Sequence, residues 1–96
     1  MLDSLHDISA YVDGGKDGVY RLKLEIYNLG LYVHGMTMRT SKKSSDWWLQ
    51  PPRHRISNGQ YKADVEFDQR TELWKEVYAA CLDAVNEHRR VNGPLL

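Results

Sequence analysis

The chain has little of what usually marks a secreted, membrane-bound or metal-stapled protein. Its 96 residues include a single cysteine, Cys81, which can neither close an intramolecular disulfide nor supply the several thiolates of a structural zinc site. That usage points to a reducing compartment. No apolar run approaches the ~20 residues needed to cross a bilayer, and "MLDSLHDISA" lacks the basic n-region and apolar stretch of a secretory leader. The expectation is a cytoplasmic protein that does not engage a membrane. Net charge is missing too, since 13 Lys and Arg balance 13 Asp and Glu. Any electrostatic function must come from how charge is distributed.

Catalytic signatures are also wanting. His6, His34, His54 and His88 show no paired ligand spacing, and none stands with Cys81 as base to a nucleophile. Cys81 reads as inert core. "DGGKDG" (residues 13–18) lacks the GxxxxGK[ST] spacing and no helix follows it, so it is a hairpin turn and not a phosphate loop. Asp64, Glu66 and Asp68 alternate at intervals of about 7 Å along an expected strand, a geometry open to a divalent metal, but Lys62 shares the row and a wet strand face explains it. No enzyme activity, metal or cofactor is expected.

The charge is spread unevenly. Residues 1–18 hold Asp3, Asp7, Asp13 and Asp17 against Lys16, a balance of minus three. Residues 39–55 hold Arg39, Lys42, Lys43, Arg53 and Arg55 against Asp46, a balance of plus four. The same segment contains Trp47-Trp48 and Pro51-Pro52. One positive surface on a neutral molecule is implied.

Periodicity gives the architecture. "VYRLKLEI" (19–26) alternates, with Tyr20, Leu22, Leu24 and Ile26 on one face and Arg21, Lys23 and Glu25 on the other, the pattern of a half-buried strand. "ISAYV" before it supplies a hairpin partner. Residues 31–40 read as a third strand, in which Gly35 marks a bulge or a close backbone approach. A fourth covers about 46–50 and is ended by the prolines, which cannot donate to a ladder. After the Asn58-Gly59 turn signal, "YKADVEF" alternates as a fifth over about 60–67, with Tyr61, Ala63, Val65 and Phe67 inward. From about Thr71 to Val91 the period becomes 3.6, with Trp74, Val77, Cys81, Ala84, Val85 and His88 on one stripe. Thr71 or Asp68 serves as N-cap, and Gly93-Pro94 ends the helix. The fold class is α+β: a single domain with an antiparallel sheet of about five short strands and one C-terminal helix packed on it. A chain this short buries only roughly 60–65% of its unfolded surface, and open sheet edges invite pairing. A homodimer is expected.

This order of elements resembles the SpoVG family of septation regulators, small bacterial DNA-binding proteins. The likeness runs from about residue 7 to 88. It rests on "LYVHGM", on "WWLQPP" followed by the basic "RHR", on "NGQY", and on a closing helix with "VYAACLDAV". The chain departs from that pattern in a longer loop before Trp47 and in Pro-Pro followed by "RHRIS". A weaker likeness, carried by "TELW" at the helix start, is to the single-stranded-DNA-binding transcriptional coactivators. Both resemblances imply a dimer that binds nucleic acid, and the first places positive charge at Arg53 and Arg55.

Bases stack on exposed aromatic rings while cations track phosphates. The candidate nucleic-acid-binding residues are therefore Arg39, Lys42, Lys43, Trp47, Trp48, Arg53 and Arg55. If Trp47 and Trp48 are in a strand they point to opposite faces, leaving one ring for stacking. The rival reading is a protein-interaction module, in which the tryptophans bury against a partner chain and the basic residues form its polar rim. Arg89 and Arg90 suit the helix dipole better than a phosphate.

Overall fold

A computed structural model describes residues 7–40 and 46–93. It is α+β: β1 (Ile8–Lys16), β2 (Val19–Ile26), β3 (Leu31–Thr40) and β4 (Trp47–Gln50) form an antiparallel meander in the order β1-β2-β3-β4. A separate hairpin joins β5 (Arg53–Arg55) to β6 (Tyr61–Ala63), and helix α1 (Glu72–Asn92) packs on the main sheet.

The first hairpin turns on two residues only. Lys16 pairs with Val19 across Asp17 (φ 56°) and Gly18 (φ 77°), the two successive positive φ values that a two-residue turn needs to match strand twist. Gly14 and Gly15, expected in the turn, belong to β1 instead. Asp13 is an extra residue there, because the register steps from Val12↔Leu22 to Gly14↔Arg21. A Cβ on Gly14 would come within 2.5 Å of the Arg21 guanidinium, so the glycine is what lets Arg21 lie across β1 and reach Asp13. Gly35 is the matching extra residue of β3, between the pairs Lys23↔His34 and Leu22↔Met36. Its φ is 90°, and a Cβ there would touch the Pro52 ring at 3.4 Å. Gly35 thus serves as bulge and close approach at once.

The core lies between one face of the sheet and α1. Tyr20, Leu22, Leu24 and Ile26 of β2, Val33, Met36 and Met38 of β3, Leu49 of β4 and Val77, Cys81 and Val85 of α1 are buried. Burying such a side chain contributes roughly 1.5–3 kcal/mol relative to leaving it in water. Burial in this apolar setting disfavours the thiolate and pushes the Cys81 thiol up to about 12. Thr71 is the N-cap, accepting from the Trp74 amide at 3.3 Å. Asp68 stands outside the helix, where its backbone carbonyl accepts from the Thr71 hydroxyl at 2.7 Å.

The strand expected over 60–67 is shorter and lies elsewhere. Only Tyr61–Ala63 is extended, and it pairs with Arg53–Arg55, where no strand was expected, instead of joining the main sheet. Val65 and Phe67 do pack on the core, but Tyr61 is exposed; the side chain of Ala63 lies outside the described atoms. The alternation was thus real only in its second half, where an irregular segment carries Val65 and Phe67 to the core, Phe67 meeting Trp74 with ring centroids 5.4 Å apart.

Candidate functional site

The helix covers one face of the four-stranded sheet and leaves the other open. Cross-strand partners share a face, so the register assigns the open side: Tyr11 beside Lys23, Glu25 beside Tyr32, Arg21 beside Thr37, and Arg39 beside Trp48. The two tryptophans divide as the pleat requires. Trp47 faces the core, edge-on to Tyr20 with centroids 5.9 Å apart, its carbonyl accepting from the Tyr78 hydroxyl at 2.7 Å. Trp48 is 49% exposed on the open side, with the Arg39 guanidinium 4.8 Å from its ring centre.

Two shallow depressions meet on this face. One, of about 360 Å³, is lined by Val19, Thr37, Arg39, Gln50, Pro51 and Arg53. Its neighbour, of about 600 Å³, shares Val19 and Thr37 and adds Gly15, Lys16, Asp17 and Arg21. Together they make a trough from the β1–β2 turn to the double proline. Pro51 and Pro52 turn the chain so that Arg53 enters that trough, and the hairpin is held there by the Asp64 amide, which donates to the Pro52 carbonyl at 2.9 Å. Arg53 lies over the Tyr61 ring at 4.2 Å. Arg21 is neutralised by Asp13, with Nε 3.0 Å from the carboxylate. Among the described residues, Lys16, Arg39, Arg53 and Arg55 meet no carboxylate within 4 Å.

Of the sequence candidates, then, Arg39, Trp48 and Arg53 come together. Arg55 is exposed one pleat further along β5, and Lys42 and Lys43 lie outside the described residues. Trp47 is a core residue and leaves the set, because the β4 pleat turns it toward the helix; Arg89 lies 5.5 Å above its ring. Arg90 is held by Glu87, with Nε 3.0 Å from Oε2, and that contact keeps the Glu87 carboxyl below its ordinary range. Sequence reasoning passed over Lys16, Arg21 and Thr37. The alternation had already put Arg21 on the polar face of β2; what could not be read was that nothing in the described chain covers that face.

Two of the three carboxylates of 64–68, Asp64 and Asp68, have separate partners. Asp64 contacts the His54 ring at Nδ1, and Asp68 binds Arg70 through both oxygens, at 3.0 and 3.1 Å. The Arg70 guanidinium holds the Asp68 carboxyl below its usual range. No group of three or more His, Cys, Asp or Glu is arranged to hold a metal among the described residues, and no helix there is long and apolar enough to cross a membrane.

No family model matches the chain, and no curated protein or solved structure does either.

Proposed function

We propose that this protein is a non-enzymatic nucleic-acid-binding protein, acting from the cytoplasm as a homodimer, and that the trough on the open sheet face is its contact surface. One observation carries the reading: Arg39 and Arg53, with no carboxylate partner among the described residues, line one depression beside the half-exposed indole of Trp48. Cations without a carboxylate partner that line one depression attract phosphates and release counterions on contact. An exposed indole next to them offers a face to a base. The resemblance to the SpoVG family points the same way. Pairing is supported by β1, a nine-residue strand at the edge of the sheet, whose open backbone groups favour association.

A titration of a labelled oligonucleotide across a salt series tests the reading. Wild-type affinity should fall steeply as salt rises, and Arg39→Ala with Arg53→Ala should reduce the slope of log K against log salt by roughly 0.7–0.9 for each phosphate left without its cation. Absence of wild-type affinity at low salt disposes of the proposal. Binding of a protein partner, hardly sensitive to salt, would favour the interaction-module reading, which rests on the same exposed Trp48. Light scattering at micromolar concentration decides between monomer and dimer.

A further inference from the structure

We infer that the open face takes its nucleic acid as a single strand, with bases stacked on Tyr32 and Tyr11 at the end of the sheet away from Trp48. The inference rests on the proposed function and extends its site to residues no sequence signal singled out. Tyr32 is 55% and Tyr11 49% exposed, and the register places both on the open face, beside Glu25 and Lys23. Isolated exposed tyrosines are ordinary; these belong to a group. Tyr27 stands nearly perpendicular to Tyr32, with centroids 6.4 Å apart and planes at 82°. Its hydroxyl donates to the Glu25 carboxylate. A ring propped in this way loses less freedom when a base settles on it than a lone surface ring would.

Charge decides the occupant. Glu25, the carboxylate amid the rings, has a side chain only 13% exposed and is met by Lys23 Nζ at 3.5 Å, so it presents little negative field to a phosphate. From Tyr32 to Arg39, β3 advances roughly 20 Å at ~3.3 Å per residue. Aromatic rings therefore stand at both ends of the open face, with the cations that lack a carboxylate partner, Arg39 and Arg53, gathered at the Trp48 end, an arrangement that fits a strand with splayed bases and a charged backbone. A duplex keeps its base faces covered and could use only the cations.

Fluorescence anisotropy with a labelled oligothymidylate of about 12 nucleotides, and with a duplex of equal length at the same salt, separates the possibilities. Tyr11→Thr with Tyr32→Thr removes both rings yet keeps strand propensity; Tyr11→Phe with Tyr32→Phe keeps the rings. The Thr pair should weaken single-strand binding by about tenfold or more and duplex binding by less than about twofold, while the Phe pair stays near wild type. Loss of equal size on both ligands, or no loss on the single strand, overturns the inference and leaves the trough reading standing. Failure of the wild type to bind either ligand overturns both.

Discussion

The two faces of the main sheet are made by the same strands and share almost nothing else. Along β2, Tyr20, Leu22, Leu24 and Ile26 are sealed beneath the helix, while the residues between them, Arg21, Lys23 and Glu25, belong to the other side. On the covered side, shape and apolar area hold the chain together. On the open side the described residues form ion pairs, hydroxyl contacts and three partly exposed tyrosines, none of which a stable sheet requires. A single helix can cover only one face, and so the difference separates residues that serve folding from residues free to serve a partner.

The largest effect that can break this contrast comes from adjacent substitutions on opposite faces. Leu22→Ala should cost about 2–5 kcal/mol, because it strips apolar packing from the core and leaves a cavity beneath α1. For a chain of this size each kcal/mol moves Tm by roughly 4–8 °C. Arg21→Ala, one position earlier, should cost less than about 1 kcal/mol, since it gives up an exposed ion pair. Equal losses in thermal melts would mean that the open face is itself packed against something, and the division would collapse.

Alkaline pH sharpens the same contrast. The folded chain holds the Cys81 thiol up at about 12, whereas an exposed thiol ionises near 9. Its contribution to stability is therefore complete below about pH 9 and disappears as pH rises toward 12, because the unfolded chain releases that proton more readily. Comparing wild type with Cys81→Ala isolates this group from the lysines and tyrosines that titrate in the same window. The stability difference should change above pH 9 and stay level below it; a difference that is flat across the whole range would place the thiol in contact with water.

How far the sequence could be read follows the same division. The helix and β2 were legible because one-sided burial writes a period into the chain, 3.6 in one and 2 in the other. Gly35 and the opposed tryptophans were legible because backbone geometry restricts them. The segment after Asn58 was misjudged: alternation over 61–67 looks the same whether a strand joins the sheet or ends after three residues, and only its pairing with Arg53–Arg55 decides. The open-face trough was half visible. Arg39 and Arg53 stand out as part of a basic cluster, but the meeting of Lys16 and Thr37 with them depends on which strands are neighbours, and spacing along the chain does not encode that.

At the helix start a smaller effect is expected. Thr71→Ala removes the hydroxyl that accepts from the Trp74 amide and donates to the Asp68 carbonyl, and it should cost about 1 kcal/mol, with Thr71→Ser recovering most of it. Chemical denaturation measures both. If alanine proved neutral, the capping bond would be contributing nothing and Asp68 with Arg70 would be fixing the turn alone.

The smallest expected change in stability falls on Trp48, and it is the most telling. A tryptophan is usually an anchor, and Trp47 is one. Trp48 is half exposed, and the Arg39 guanidinium lies over its ring, an interaction worth about 0.5–1 kcal/mol at an exposed site. Trp48→Thr should therefore shift stability by less than about 1 kcal/mol while weakening oligonucleotide binding by roughly fivefold or more, because a base no longer has that ring to stack on. Quenching of tryptophan fluorescence by the oligonucleotide, present in the wild type and lost in Trp48→Thr although Trp47 and Trp74 remain, gives the same answer. A variant that melted like a core truncation would show that this ring belongs to the folded interior, and the trough would lose the aromatic ring beside it.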